Sequence, residues 1–330
     1  MAATQPSRAL VVKLSSLGDL FHALPAVHLL KRALHLEVDW ITQPEYKELV
    51  GCFGCVDRVL TFPRRSLWRS GAAWILALRQ NRYDYIFDFQ GLLKSAMVAR
   101  LARGRQRIGP SYHREGARWL YRAVAGPADL DRHAVEQALD TVRFMNVTVE
   151  DTVFEVSFPK QLLNAERPRI AYLPSSRWPT KNWPPAYFAE TIQHVDERVG
   201  GTSFLLGAPA DGAVADLIVK SAASTKLVNL VGRTDLIGLG SYLQEMDLVV
   251  SVDSGPMHMA AALGIPTVAI FGPTNAIRTG PYGDRHTVLQ TSHLTCVPCL
   301  SRACLRPERD HACMKRLVPV QVIEAVVSKL

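Results

Sequence analysis

No apolar run in the sequence reaches the ~18 residues that a membrane-crossing helix needs. Residues 1–8 are short and polar, unlike a secretory leader, so a cytoplasmic protein is expected. Several familiar site signatures are missing too. Neither half opens with GxGxxG, nor with GxxxxGK followed by Ser or Thr, which argues against a nicotinamide dehydrogenase and a phosphate-loop ATPase. No GxSxG elbow occurs, which argues against a serine hydrolase. The interleaved aromatic and glycine pattern of an RNA-binding sheet is absent, as is a recognition helix, so no nucleic-acid partner is expected.

The 330 residues suffice for two domains with full cores, and 48% apolar with 21% charged residues is a globular balance. The net charge of +8 is concentrated. Between Arg64 and Arg122 stand thirteen Lys and Arg against Asp84, Asp88 and Glu115, a local charge of +10. Taken singly, most of these arginines read as solvated helix faces. Together they suit an anionic partner, and an anionic surface or glycolipid fits best.

Along the chain, short apolar runs alternate with helical spacing. Strands are expected at 9–14, 38–42, 56–62 and 85–89, with a further short one at 107–109. Helices are expected at 20–34, 44–50, 67–78 and 92–101, which puts Gly18 and Asp19 at a strand-to-helix junction. Prolines and polar residues interrupt the pattern over 157–168, after which it restarts. Strands then read at 170–173, 202–206, 227–231, 248–252 and 267–271, with helices at 187–195, 214–221 and 236–245. The fold class is therefore α/β: two doubly wound parallel-sheet domains, residues 1–160 and 161–330. The last apolar helix, 320–330, has no strand partner and is expected to pack back across the cleft between them.

Ligands of such folds bind beyond the carboxyl ends of the strands. The candidate loops are those at Asp19, Gln90, Ser175, Gly207, Gly232 and Asp253. Residues 249–274, VVSVDSGPMHMAAALGIPTVAIFGPT, read as strand, tight turn, helix and strand. Ser254 and Gly255 offer a hydroxyl and backbone N–H groups at a helix start, where phosphate binds well. Turn-making by Gly255 and capping by Asp253 would be the plainer reading. His258, one helical turn on, fits that plainer reading poorly and favours a phosphate site.

The chain also resembles a known family. KLSSLGDLFHALPAV at 13–27, FDFQGLLKSAMVARLARG at 87–104 and HAVEQ at 133–137 carry the likeness in the first half. KNWP at 181–184, LLGAP at 205–209 and VSVDSGPMHMAAALGIPTVAIFGPTN at 250–275 carry it in the second. In that order they resemble the glycosyltransferase family 9 heptosyltransferases, most closely the heptosyltransferase I branch. The resemblance implies the GT-B arrangement, two Rossmann-like domains facing across a cleft. The first, 1–160, would bind the acceptor and the second, 161–330, the nucleotide sugar. It implies metal-independent, inverting transfer of L-glycero-D-manno-heptose from ADP-heptose to Kdo-lipid A in lipopolysaccharide biosynthesis, at the cytoplasmic face of the inner membrane.

Inverting transfer needs a carboxylate to take the acceptor proton. Asp19 is similar to the family's general base, although an Asp in this position otherwise reads as a helix cap. The departing diphosphate needs cations and N–H donors. Lys181 resembles the family's phosphate lysine, Ser175 and Ser176 its hydroxyl donors, and Asp253, Ser254, Gly255, His258 and the Met257 N–H the rest of the diphosphate cradle. The loop before Lys181 is a residue longer than the family pattern, and Pro256 removes one N–H donor. Asp211 and Thr234 fall on loops the family uses for adenine and ribose. Arg64, Arg65, Lys94 and His133 match acceptor-binding positions, and Arg122 lies in the family's arginine-bearing segment beside Arg114 and Arg118. No catalytic cofactor is implied, and no Asp-x-Asp pair lies in a plausible cleft loop.

Cys296, Cys299, Cys304 and Cys313 are spaced Cys-x2-Cys-x4-Cys-x8-Cys, which suits either a structural zinc or a loop of reduced cytosolic thiols. Two other functions stay open. One is a heptosyltransferase II-like or other GT-B transferase with a different nucleotide-sugar donor. The other is a non-catalytic nucleotide-sugar or glycolipid binding protein.

Overall fold

Two runs of strand–helix alternation, each with its own buried core, make up the computed structural model. It describes residues 7–64 and 67–330, and the side chains of all of these except 67–70. The chain divides into compact units at Met1–Ser157 and Phe158–Leu330.

The first unit runs β1 (Ser7–Val12), α1 (Leu17–Leu34), β2 (Leu36–Thr42), α2 (Lys47–Gly51), β3 (Arg58–Thr61), α3 (Leu67–Leu78), β4 (Arg82–Asp88), α4 (Leu93–Leu101), β5 (Arg103–Pro110), β6 (Ala123–Ala125) and α5 (Ala134–Phe144). Its parallel sheet is ordered β3-β2-β1-β4-β5-β6. Helices on both faces explain why β1 is apolar from Ala9 onward and why β2 is buried almost throughout. Leu10, Val12, Ile41, Ile86 and Val98 lie in the core beneath α4. A capping box of Ser16 and Asp19 starts α1, and His35 ends it in the left-handed region.

The second unit runs β7 (Arg169–Leu173), α6 (Pro185–Val199), β8 (Thr202–Leu205), α7 (Gly212–Ser221), β9 (Leu227–Asn229), α8 (Leu236–Leu243), β10 (Leu248–Val252), α9 (Gly255–Ala262), β11 (Thr267–Phe271), α10 (Ala276–Thr279), β12 (Thr287–Gln290), α11 (Ala312–Lys315) and α12 (Pro319–Val327). Its sheet, β12-β11-β10-β7-β8-β9, repeats the topology of the first. In each sheet the strand order reverses between the unit's first and fourth strands, β1/β4 and β7/β10. Those are the points where this fold class binds ligands.

Several elements differ from the sequence reading, and the four-residue helices α10 and α11 were not expected in it. Strand β6 has three residues and β12 four, both only partly buried and too short for a buried-strand signal. Helix α5 buries Val135, Ala138, Leu139 and Val142, a regular helical spacing. Helix α12 buries Val322, Ile323 and Val326 in the second unit's own core, against α6.

Candidate active site

At the β1/β4 switch point of the first unit, backbone groups left over by the strands are tied by side chains. Gln90 Oε1 accepts the N–H groups of Leu14 and Ser15, both at 3.1 Å. Asp88 Oδ1 in turn accepts the N–H groups of Gln90 (2.8 Å) and Gly91 (3.1 Å), and its Oδ2 accepts the Tyr121 hydroxyl at 2.7 Å. Lys13 is buried, and its Nζ donates to the Phe89 carbonyl at 2.7 Å.

Asp19 stands in the first turn of α1, inside the helix rather than at its junction with β1. Its Oδ2 accepts both the N–H and the hydroxyl of Ser16, each at 2.9 Å. His22 Nδ1 lies 3.7 Å from Oδ1, and 42% of the Asp19 side chain is open to solvent. Enclosure of the carboxylate pushes its pKa up; Lys13, His22 and the Ser16 N–H outweigh that and hold it below the ordinary value. Burial lowers Lys13, against the opposing pull of Asp19 and Asp88. Asp19 thus both caps a helix and presents an ionised, partly accessible carboxylate. The two readings of this residue are compatible.

The acceptor candidates do not all come together. Arg64 is exposed, and half-buried Lys94 sits with Nζ 5.8 Å from the centre of the Phe62 ring. Burial lowers the Lys94 pKa, and the nearby Arg64 charge adds to it. Arg65 lies outside the described residues. Arg122 is exposed just before β6, and its N–H donates to the Arg107 carbonyl of β5 at 2.9 Å. His133 caps α5, its Nδ1 accepting the Val135 N–H at 3.1 Å, and its ring meets that of His22 edge-on at 5.7 Å. Through His22 it reaches the surroundings of Asp19.

At the second unit's β7/β10 switch point the donor candidates converge. Lys181 Nζ lies 2.7 Å from Asp253 Oδ2, the two side chains being 15% and 6% exposed. The Thr274 hydroxyl donates to the same carboxylate oxygen. Trp178 shelves this group, with Lys181 Nζ 4.7 Å and the Arg302 guanidinium 4.9 Å from its ring centre. Ser175 and Ser176 follow β7. The Ser176 N–H donates to Asn182 Oδ1 at 2.8 Å, and the enclosed Ser175 hydroxyl has no hydrogen-bond partner among the described residues.

Ser254 caps α9, and Gly255 is the helix's first residue. The Met257 N–H, which the resemblance assigns to the phosphate cradle, donates to Ser254 Oγ at 3.4 Å. His258 is buried on the same helix. Asp211 Oδ2 accepts the Ala208 N–H at 2.8 Å, a capping role, while the Gly232 N–H donates to the Gly207 carbonyl at 2.9 Å. The two loops assigned to nucleoside contact are therefore bonded to each other. Thr234 follows, next to Asp235, which caps α8.

Lys13, Trp178, Asn182 and Thr274 had no role in the sequence reading, and Gln90 only marked a candidate loop. All lie within or beside motifs it quoted, but only the fold reveals that they buttress charged neighbours.

The cysteines line an enclosed cavity of about 30 Å³ with Thr180, Pro273 and His311. Among the described residues, no group of three or more His, Cys, Asp or Glu is placed to hold a metal ion. The four-thiol zinc site is therefore not formed, and all four cysteines are free. Burial, followed by the neighbouring thiols, pushes Cys313 up to about 11.

Residues 72–309 match glycosyltransferase family 9 (heptosyltransferase). Lipopolysaccharide heptosyltransferase 1 of Pseudomonas aeruginosa is 32% identical over 316 residues, 90% of this chain and 87% of that protein. The structure of E. coli heptosyltransferase WaaC with ADP superposes with a TM-score of 0.78 at 25% identity, over 98% of this chain and 100% of that one. The same enzyme with ADP-2-deoxy-2-fluoro heptose gives 0.75, over 96% and 99%. A family match over more than half the chain, a relative alike along most of its length and the same two-sheet architecture lead to one assignment: the chain belongs to the heptosyltransferases of glycosyltransferase family 9.

Proposed function

We propose that this glycosyltransferase moves L-glycero-D-manno-heptose from ADP-heptose to the Kdo of lipid A, with inversion and without a metal. The observation that carries this reading is the group Lys181, Asp253, Thr274 and Ser254 at the second unit's switch point, together with the ionised Asp19 at the first unit's. Lys181 and the enclosed Ser175 hydroxyl hold the donor diphosphate and take up the charge that develops on ADP as it leaves. Asp19 accepts the proton of the attacking acceptor hydroxyl. Lys13 and the Ser16 N–H keep that carboxylate ionised and aimed, while Lys94 with Arg64 meets the carboxylates and phosphates of the acceptor.

The reaction places the enzyme at the cytoplasmic face of the inner membrane, against its anionic surface. No described helix is long and apolar enough to cross a membrane.

The test is ADP release from ADP-heptose with Kdo-lipid A, run beside UDP- and GDP-sugars and with a chelator present. Turnover with ADP-heptose alone, undiminished by chelation, is expected. Asp19→Asn should lower kcat by about 10²–10⁴-fold with ADP affinity unchanged. Full turnover in that variant would refute the base assignment. Release with another nucleotide sugar would identify a different donor, transfer only to an acceptor already carrying heptose would identify a second-heptose enzyme, and binding without release would identify a carrier.

A further inference from the structure

Beyond the candidate site, the first unit carries a surface on which apolar side chains and unpaired arginines share two packed elements. The 3₁₀ turn at Ala117–Leu120 packs on α4, with Ala96, Ala117 and Tyr121 buried together. Because that turn repeats every three residues, burying Ala117 and half-burying Leu120 directs Arg118 and Trp119 outward. Trp119 is 88% exposed, the most open aromatic side chain among the described residues.

The open face of α4 continues the surface. Leu93, Met97 and Arg100 recur at helical spacing and are exposed, Met97 to 52%, while Ser95, Ala96, Val98 and Ala99 are buried. A lone exposed apolar residue needs no explanation, but a Trp, a Met and a Leu on two packed elements form a patch.

Charge sets the identity of what covers it. Arg100, Arg118 and Arg122 are exposed, and among the described residues none of them forms a salt bridge. Burial lowers the Arg107 pKa, and the charges of Arg100 and Arg122 lower it further, so these guanidiniums crowd one another. The nearby Glu115 carboxylate accepts the Leu93 N–H at 3.2 Å, at the start of α4. Like charges held together beside exposed apolar groups match a layer of phosphates over hydrocarbon. A Trp at such a boundary places its ring among the acyl chains and its N–H among the headgroups.

We infer that Trp119, Met97 and Leu93, rimmed by Arg100, Arg118 and Arg122, form the docking surface of the first unit for an anionic phospholipid bilayer. The inference deepens the membrane part of the proposed function and rests on it. It assigns these residues to the surface on which a lipid-borne acceptor arrives, not to the chemistry.

The experiment measures co-sedimentation of the full chain with phosphatidylcholine vesicles made with and without phosphatidylglycerol. The wild type should bind only the anionic vesicles, more weakly as salt rises. Trp119→Ser and Met97→Ser should each weaken binding by about tenfold, the scale of one lost apolar anchor. Arg100→Ser should weaken it about fivefold, the worth of one basic residue near an anionic surface. Brominated acyl chains should quench tryptophan emission in the wild type and not in Trp119→Phe.

Unchanged vesicle affinity in Trp119→Ser, or equal quenching of wild type and Trp119→Phe, would overturn the inference. Weakening by Arg100→Ser alone would leave a purely electrostatic surface and also overturn it. Melting temperature and turnover on a soluble Kdo acceptor should be unchanged in all the serine variants, which excludes misfolding. The two proposals fail separately: vesicle binding without any heptose transfer sinks the proposed function, and transfer to the soluble acceptor without vesicle binding sinks the docking surface.

Discussion

Lys181→Met is the most informative single change in the second unit. It removes the cation 2.7 Å from Asp253, in a pair whose side chains are 15% and 6% exposed. Taking one partner from a buried pair costs about 3–5 kcal/mol, because the other charge is left unopposed. The Thr274 hydroxyl still donates to Asp253, and Lys181 keeps some contact with water, so the loss should lie near about 3 kcal/mol. For a unit the size of Phe158–Leu330 that lowers the melting temperature by about 6–12 °C. A charge-assisted contact to a diphosphate is worth about 1.5–3 kcal/mol. Phosphate must first displace Asp253 from the lysine, so the ADP dissociation constant should rise only about tenfold. Calorimetric titration and thermal denaturation read the two effects separately. In Lys181→Met/Asp253→Asn the buried charge is gone, and most of the lost stability should return while ADP affinity stays weak. ADP affinity within threefold of wild type in the folded single variant would refute the diphosphate role. A double variant no more stable than the single one would refute the buried-pair reasoning.

Three further outcomes follow from the same geometry. Asp19 is held below the ordinary carboxylate value of 3.8, so its contribution to stability is complete above that pH and is lost only as pH falls further; kcat should show no acid limb from this residue down to about pH 5, and a limb near neutrality that vanishes in Asp19→Asn would contradict the assignment. Gln90→Leu strips the acceptor from the Leu14 and Ser15 N–H groups and should cost about 2 kcal/mol or more in urea denaturation, with Asp88 still holding its own partners. Cys313, raised to about 11 from 9.0, should be alkylated about 100-fold more slowly at pH 8 than an ordinary thiol; the stability it contributes is present below 9.0 and lost as pH climbs through 11, so reaction at the rate of free cysteine would show the cavity to be open.

The fold was legible where burial is two-sided. Strands β1, β10 and β11 are continuous apolar runs because helices cover both faces, and the sequence marks them within a few residues. Strands β6 and β12 were missed because a short, partly buried strand draws its definition from its neighbour's hydrogen bonds, not from its own composition. Helix α5 was missed for another reason: HAVEQ was read as a motif, and the apolar spacing that follows it was passed over. At the site, charged residues in quoted motifs were recognisable as types, but their partners were not. Nothing local to KNWP indicates that Lys181 meets Asp253, seventy-two positions on, or that Trp178 lies beneath it. The spacing of the cysteines gave them proximity without giving them the arrangement a metal needs.

The carboxylate of Asp253 has a consequence of its own. It pairs with Lys181, so the lysine already has an anion supplied by the protein itself. On the proposed reading, nucleotide capture there exchanges one anion for another and releases few counter-ions from the lysine. ADP affinity should therefore depend only weakly on salt, in contrast to contacts made by unpaired arginines. On that reading the same exchange would run in reverse after transfer: Asp253 would take back the lysine as ADP departs, which lowers the cost of emptying the pocket. A carboxylate that weakens the hold on substrate thereby shortens the residence of the product.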